Sequence, residues 1–324
     1  IVDEASQINE PMTLAAIVLA RRFVLVGDHL QLPPIVQSEQ ALSAFFDPHG
    51  AHAPRGEALV GRGVDPDEHD LLDLPRLFEL DEGLREAGVA GLDRSLFERL
   101  VVRLPHVMLE EQYRMNAAIM AFSNSAFYDG KLRAHASVVA QTLELPESVQ
   151  QTLPDHLRVL LSPDHPVLFQ HVEGHDRART NEAEARAVVE LVSALWRSGS
   201  LDGPEPFSLG VISPFRAQVQ LIRNMLRERL GARAEAIDVD TVERYQGGER
   251  DAILVSLVKT ERAGEFLADT RRLNVTLTRA RKKLILFGHR RCLTLNPLYR
   301  RLIEQPETVT LDDPSRQPTE PAAE

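Results

Sequence analysis

The chain has 324 residues, of which 43% are hydrophobic and 26% charged, and its 48 acidic and 37 basic residues give a formal net charge of −11 at pH 7. This composition excludes a disordered chain and a coiled coil, and it predicts a globular protein of about two domains. The acidic balance argues weakly against binding of nucleic acid through overall charge, although a local basic groove on an acidic body is compatible with it.

The single cysteine, Cys292, excludes an internal disulfide and a cysteine-rich zinc or iron–sulfur centre. No segment approaches the roughly 18 consecutive apolar residues that cross a bilayer, and the amino terminus lacks a signal-peptide pattern. We therefore expect no membrane association and a cytoplasmic location. The chain opens without methionine on two apolar residues before an acidic pair, which predicts a fragment of a longer protein.

Helical and strand patterns alternate along most of the chain, which predicts a mostly parallel sheet covered by helices on both faces. Between residues 37 and 91 the pattern gives way to proline, glycine and acidic residues, which indicates a loop-rich insertion. A second loop-rich stretch runs to residue 163. The predicted elements, in chain order, are a truncated strand before residue 3, a helix over 11–20, a strand over 23–26, a helix over 93–102, a strand ending at 109, a helix over 116–127, a strand over 167–172, a helix over 182–197, a strand over 209–213, a helix over 218–230, strands over 236–239 and 253–258, a helix over 271–279, a strand over 284–287 and a helix from 298.

Polar groups follow the first two predicted strands. Asp3-Glu4 suits hydrolysis of a magnesium nucleotide, because one carboxylate can hold Mg²⁺ while its neighbour orients the attacking water. Gln31 lies in the segment 27–34, at the strand edge where open α/β sheets bind ligands, and could reach a γ-phosphate. An acidic pair at a strand end is more often a solvated turn, so each signal alone is weak.

Three later segments carry further candidates, namely 112–115, 241–249 and 274–281. Each has a structural alternative, and a basic run such as 271–283 is usually a solvated face. His171 and His175 have a metal-like spacing, but their position at a strand end favours surface histidines over metal ligands.

Together and in this order, the five segments resemble motifs II to VI of the superfamily 1B helicases, the group of the nonsense-mediated-decay helicase and the Okazaki-fragment nuclease helicase. The resemblance runs from residue 1 to about residue 290. It implies an α/β architecture of P-loop NTPase (RecA-like) folds with an incomplete first domain. Residues 1–107 would be the carboxy-terminal part of the first domain, 108–305 the second domain, and 306–324 a disordered acidic tail.

The resemblance also implies roles in ATP hydrolysis between two RecA-like domains. Asp3 would bind Mg²⁺, and Glu4 would act as the general base on the hydrolytic water. Gln31 would sense the γ-phosphate, and Arg114 and Arg279 would be arginine fingers that stabilise the transition state.

The remaining matched positions imply binding roles. Tyr113 would stack on the adenine, and Gln246, Gly247 and Glu249 would contact the nucleotide and couple it to the nucleic-acid track. Hydroxyls such as those of Ser213 and Thr241 would hold phosphates of a single strand, largely without sequence preference.

A Walker A phosphate loop is missing from the sequence. The only Gly-Lys pair is Gly130-Lys131, and Ser125 stands where the first glycine should be. We therefore expect the phosphate cradle upstream in the parent protein, and we expect the 324-residue chain alone to hydrolyse ATP poorly or not at all.

The leading hypothesis is an ATP-dependent helicase or translocase that acts on single-stranded nucleic acid, with DNA slightly favoured over RNA. The resemblance implies 5′ to 3′ travel and nuclease or repair partners. One alternative is a nucleic-acid-binding or regulatory module that has lost hydrolysis, and another is a translocase that does not separate strands.

Overall fold

A computed structural model describes residues 1–34, 94–177, 179–203, 206–245, 247–261 and 267–312. The chain divides into two compact units, Ile1–Val107 and Met108–Glu324. The predicted insertion over 37–91 lies outside the described residues.

The described elements are labelled here in chain order. The helices are α1 (Glu10–Ile17), α2 (Leu96–Val101), α3 (Ala117–Phe127), α4 (Glu147–Thr152), α5 (Asp155–Leu160), α6 (Glu182–Arg197), α7 (Arg216–Leu230), α8 (Thr270–Leu277), α9 (Arg290–Leu293) and α10 (Pro297–Glu304). The strands are β1 (Glu111–Gln112), β2 (Arg133–Ala134), β3 (Val167–His171), β4 (Leu209–Ile212), β5 (Asp238–Asp240), β6 (Arg250–Ser256), β7 (Ala280–Gly288) and β8 (Thr308–Leu311).

The described residues of unit 1 include two capped helices. The side chain of Asn9 accepts a hydrogen bond at the start of α1, and Ser95 does the same for α2. Arg99 on α2 donates to both carboxylate oxygens of the buried Glu10 on α1, at 2.9 and 3.0 Å. Both hydrogen bonds come from Nη1, and this ion pair fixes the two helices against each other.

Unit 2 is built on a six-stranded parallel sheet in the order β5-β4-β6-β7-β3-β8, and β1 and β2 form a separate two-stranded parallel sheet. The central strands β6 and β7 are almost entirely buried, as expected for parallel strands with helices on both faces. This arrangement confirms the α/β sheet predicted from the alternating pattern.

The core of unit 2 lies on both faces of the sheet. On one face, α6 and α7 bury a stripe of apolar side chains against alternate strand residues such as Leu254 and Ile285. On the other face, Val255 and Leu286 line a small cavity with Leu273 of α8 and Tyr299 of α10. Packing on both faces of the sheet therefore fixes the positions of the strand ends.

Four predicted elements need correction. Residues 105–110 form no strand, although a strand was predicted to end at residue 109, and Val107 and Leu109 are 89% and 78% exposed. The predicted tail over 306–324 begins too early, because Thr308–Leu311 form β8 and pair with β3. The stretch up to residue 163 was predicted to be loop-rich, yet it contains α4 and α5, and α5 buries Leu157 and Leu160 in the main core. The apolar run over 23–26 was predicted to be a buried strand, yet Phe23, Val24 and Val26 are 40–56% exposed and Leu25 makes a single bridge to Val2.

No helix among the described ranges combines the length and the apolar character needed to cross a membrane. The cytoplasmic location stays a prediction.

Candidate functional site

Unit 1 brings the segments of Asp3 and Gln31 side by side. Val2 bridges Leu25 in parallel, and the Ala5 amide donates to the Val26 carbonyl at 2.8 Å. A Cβ atom on Gly27 would lie 2.8 Å from the Ser6 nitrogen, so only glycine permits this close approach.

Glu4 occupies an unusual backbone conformation at the end of this bridge. Its φ is +49°, a left-handed value that is uncommon outside glycine. The Asp3 carboxylate accepts the Glu4 amide hydrogen at 2.9 Å, and the Gln7 amide donates to the Glu4 carboxylate. Asp3 and Glu4 are both exposed, so the turn presents two carboxylates to solvent.

Asp28 positions the predicted γ-phosphate sensor. The Gln31 amide donates to Asp28 Oδ2 at 2.9 Å, while Asp28 Oδ1 accepts the Leu30 amide at 3.0 Å. The Asp28 amide donates to Ser6 Oγ at 3.2 Å. Asp28 was not singled out from the sequence, although an aspartate that accepts an amide two residues later is a recognisable turn signal.

In unit 2, three predicted residues converge at the amino-terminal edge of the sheet. Arg250 and Ala280 are register partners at the starts of β6 and β7, so Glu249 and Arg279 precede neighbouring parallel strands. Arg114 Nε donates to Glu249 Oε2 at 2.7 Å, and its Nη1 lies 3.4 Å from the Thr278 carbonyl.

A second arginine faces the same carboxylate. Arg281 Nε lies 3.7 Å from Glu249 Oε1, and its Nη1 lies 3.9 Å from Asp251. The side chains of Arg114, Arg281 and Glu249 are all between 34% and 41% exposed, so this cluster remains open to a ligand. Because both arginines share Glu249, an incoming anion would compete with that carboxylate for them.

Gln112 and Gln141 hold the backbone of Arg114 in place. Gln112 Oε1 accepts the amides of Arg114 and Met115 at 2.8 and 2.7 Å. The Gln141 amide donates to the Arg114 carbonyl and, at 3.1 Å, to the Arg281 carbonyl. No sequence signal points to Gln141, which lies in an irregular stretch far along the chain.

The structure places Arg279 inside unit 2 rather than on its surface. The residue is 2% exposed. Its Nε donates to the Val275 carbonyl at 3.1 Å, and its Nη1 donates to the Gly248 carbonyl at 3.2 Å. A finger role therefore requires the guanidinium to leave these carbonyls when a nucleotide binds.

Tyr113, a predicted nucleotide contact, is 60% exposed. Its ring stacks on His135 with centroids 4.4 Å apart, and its hydroxyl donates to Glu111 at 2.8 Å. That hydrogen bond raises the pKa of Tyr113 above its usual value. Gly247 has a φ of +79°, while Gln246 lies outside the described residues.

Ser213 and Thr241 lie at the opposite, carboxyl-terminal edge of the sheet, since they follow the paired ends of β4 and β5. Ser213 is fully buried, and its hydroxyl donates to the Ser256 carbonyl at 2.9 Å. Thr241 is 6% exposed, and its amide donates to Asp240 at 2.8 Å. A phosphate could meet the Ser213 hydroxyl only if the surrounding loop opened.

A buried carboxylate supports this carboxyl-terminal edge. Glu184 Oε2 accepts hydrogen bonds from Ser256 Oγ at 2.7 Å and from the Val258 amide at 2.8 Å. Asn181 donates to Glu184 Oε1 at 3.1 Å and to the Val258 carbonyl at 3.1 Å. Val258 has a φ of +74°, so this network clamps a strained residue at the end of β6.

Burial raises the pKa of the Glu184 carboxyl to about 8, against the opposing effect of the hydrogen bonds from Val258 and Ser256. The Gln218 amide extends the network, because it donates to the Asn181 carbonyl and to Ser256 Oγ at 2.9 and 3.0 Å. None of these buried residues except Ser213 was singled out from the sequence.

The Gly130-Lys131 pair lies in a turn between α3 and β2. Gly130 has a φ of +72°, and Lys131 pairs with the exposed Asp129 at 3.3 Å. This turn is not a phosphate loop, because it does not connect a strand to the start of a helix.

Two family models described as AAA domains match the chain, one over residues 92–291 and one over residues 1–39. The chain is 32% identical to the DNA replication ATP-dependent helicase/nuclease of Homo sapiens over 98% of its own length and 27% of that protein. It is also 32% identical to an uncharacterized ATP-dependent helicase of Methanocaldococcus jannaschii, over 95% of the chain and 38% of that protein.

Among solved structures, the carboxy-terminal domain of a possible DNA helicase from Lactobacillus plantarum aligns with a TM-score of 0.37 and 15% identity, over 61% of this chain and 98% of that domain. The chain thus spans between about a quarter and two fifths of the length of the two sequence relatives.

Proposed function

The chain belongs to superfamily 1B of the helicases, with the motifs of their carboxy-terminal part, and we propose that its parent protein couples hydrolysis of Mg-ATP to movement on single-stranded nucleic acid. The observation that carries the proposal is the convergence of Arg114, Glu249 and Arg279 at one edge of the unit 2 sheet. Two separate sequence motifs supply these arginines, and a third supplies the carboxylate.

The turn at Asp3 and Glu4 fits a magnesium ion. Mg²⁺ prefers carboxylate oxygens and usually keeps several water ligands, and both carboxylates here are exposed. When bound with ATP, the ion would neutralise charge on the phosphate oxygens. Asp3 would hold the ion, Glu4 would take the proton of the attacking water, and Gln31 would contact the γ-phosphate.

Arg114 and Arg279 would supply positive charge as the phosphoryl group transfers, and Tyr113 would stack on the adenine. Glu249, with Gln246 and Gly247, would report the state of the nucleotide. A phosphate and the Glu249 carboxylate would compete for Arg114, so binding of the nucleotide would release Glu249 from this arginine.

Strand β6 offers a route between the two edges of the sheet. Glu249 directly precedes it, and at its other end Ser256 contacts Ser213 and Glu184. A shift at Glu249 would therefore move the edge that carries Ser213 and Thr241, where the nucleic-acid phosphates would lie. We propose 5′ to 3′ travel, DNA rather than RNA as the track, and nuclease or repair proteins as partners.

The test compares ATP hydrolysis by the 324-residue chain with that of the full gene product, each with no polynucleotide, with single-stranded DNA and with single-stranded RNA. We expect stimulated turnover from the full product and little from the chain. The better stimulator identifies the track. Strand-displacement assays on the same samples separate a helicase from a translocase that leaves duplexes intact.

Variants of the full product test the assigned roles. Glu4→Gln should abolish turnover while ATP still binds, and Arg114→Ala should lower turnover on the order of a thousandfold. Arg227→Ala removes the same charge from the exposed face of α7 and serves as the matched control.

Because Arg279 is buried, Arg279→Lys is the better variant, and unfolding of unit 2 must be followed alongside activity. Absence of turnover in the full product would favour a nucleic-acid-binding or regulatory module, and every catalytic role above would be withdrawn.

A further inference from the structure

Two histidines and a glutamate meet at the carboxyl-terminal edge of the sheet, away from the residues assigned to ATP. His171 is the last residue of β3, and its register partner Gly288 ends the neighbouring strand β7. His289 follows Gly288 directly, and Glu173 lies two residues after His171. The parallel pairing of β3 and β7 therefore brings together side chains that are distant in sequence.

Both histidines point their Nε2 atoms at the same carboxylate. His171 Nε2 lies 3.2 Å from Glu173 Oε1, and His289 Nε2 lies 3.6 Å from Glu173 Oε2. One ligand atom from each of the three residues lies within 4.8 Å of the others. In a tetrahedral zinc site with bonds of roughly 2.0–2.1 Å, neighbouring ligand atoms are about 3.3 Å apart. The two histidine–glutamate distances of 3.2 and 3.6 Å are close to this value, and the two histidine nitrogens would have to approach each other from a separation of at most 4.8 Å.

The second nitrogen of His171 contacts the backbone at the end of β7. Its Nδ1 lies 3.3 Å from the Gly288 carbonyl and accepts the Arg290 amide at 3.2 Å. Metal binding at Nε2 would place the proton on Nδ1, so Nδ1 would donate to the Gly288 carbonyl and would lose the hydrogen bond from Arg290. His289 Nδ1 accepts the Cys292 amide at 3.3 Å, a long contact at the start of α9. Metal binding at His289 Nε2 would place the proton on Nδ1, which could then no longer accept the Cys292 amide. The start of α9 would therefore change when the metal is bound.

The surroundings favour a divalent ion of borderline softness, bound with modest affinity. Two imidazoles and one carboxylate suit Zn²⁺ far better than Mg²⁺ or Ca²⁺, which prefer oxygen ligands only. Arg290 and Arg291 line the same cleft and oppose a cation, but both are exposed and therefore screened by solvent. All three ligand residues are half-buried, which leaves a fourth position open to water.

We propose that His171, Glu173 and His289 form a zinc site that ties the carboxyl-terminal ends of β3 and β7 together. The site does not depend on the proposed helicase function, because its residues are separate from those assigned to ATP and nucleic acid. The spacing of His171 and His175 in the sequence is not the relevant one, since the partner of His171 is His289.

The test is titration of the metal-stripped 324-residue chain with ZnCl₂ by isothermal calorimetry, with MgCl₂ as a parallel titrant. We expect one saturable Zn²⁺ site and no matching Mg²⁺ site. Glu173→Gln and His289→Asn should each weaken Zn²⁺ binding roughly tenfold or more. Asparagine is chosen at position 289 because it can still cap α9, so the fold is preserved.

His175→Asn is the matched control, because this exposed histidine lies outside the cluster. Fluorescence of Trp196 establishes that each variant is folded. Cobalt substitution gives an independent readout, since a bound Co²⁺ ion with tetrahedral nitrogen and oxygen ligands absorbs visible light and the two ligand variants should lose that absorption. A chain without saturable Zn²⁺ binding, or one whose affinity is the same in all variants, would overturn the proposal and leave a hydrogen-bonded cluster without metal.

Discussion

Replacement of the buried Glu184 by glutamine tests the carboxylate that supports the end of β6. Glutamine keeps an oxygen for Ser256 and Val258 but turns its own amide toward the amide of Asn181, which donates to the carboxylate at 3.1 Å in the native protein. Near pH 5, the lost hydrogen bond should cost about 1–3 kcal/mol.

The pH dependence of stability is the sharper part of this prediction. Burial raises the pKa of Glu184 from 4.5 to about 8, so between these pH values the folded protein holds a proton that the unfolded chain has released. The free energy of unfolding of the wild type therefore falls as pH rises, by about 1.4 kcal/mol per pH unit. Glu184→Gln has no such proton. The difference in free energy of unfolding between wild type and variant should therefore shift in favour of the variant by about 3 kcal/mol from pH 5 to pH 7.

Urea unfolding followed by Trp196 fluorescence measures this difference. Trp196 is the only tryptophan of the chain and lies buried on α6, the helix that carries Glu184. The contributions of other titrating groups to the free energy of unfolding cancel when the variant is compared with the wild type at each pH. Glu182→Gln, at an exposed position of the same helix, is the matched control and should give a constant difference. A constant difference for Glu184→Gln as well would refute the reasoning, because it would mean that the carboxylate stays ionised and its hydrogen bonds outweigh burial.

Three further predictions concern the same unit. Burial lowers the pKa of Lys283 from 10.5 to about 7, so between pH 7 and pH 9 the unfolded chain holds a proton that the folded protein has released. Wild-type stability should therefore rise over this range relative to Lys283→Met. A difference in free energy of unfolding that stays constant from pH 7 to pH 9 would contradict this. Gly210→Ala should destabilise unit 2 by about 1–3 kcal/mol in the same assay, because the new Cβ would lie 2.7 Å from the Tyr245 hydroxyl; an unchanged midpoint would mean that the ring moves freely. Tyr113→Ala in the full gene product should weaken binding of a fluorescent ATP analogue several-fold and leave the unfolding midpoint of unit 2 unchanged, and equal binding would remove Tyr113 from the proposed site.

Local sequence patterns were sufficient for the elements with strong periodicity. The helix over 182–197 was predicted at the bounds that α6 shows, because its apolar residues recur at helical spacing. The structure adds that Asn181 caps its first turn. The strands β3 and β4 were found because buried parallel strands appear as continuous apolar runs. The strand β8 was missed, since Thr308–Leu311 is short and follows no pattern that distinguishes it from a tail.

By itself, the sequence determined the family, the parallel α/β sheet and the motif residues, because each of these depends on residue types at fixed spacing within a few turns of chain. Only the tertiary structure decided that Arg279 is buried, that Gln141 fixes Arg114, that Glu184 clamps Val258 and that His289 meets His171. These contacts join side chains on different elements. Strand order and register select such partners, and both are set by packing of the whole sheet, which periodicity along the chain does not record.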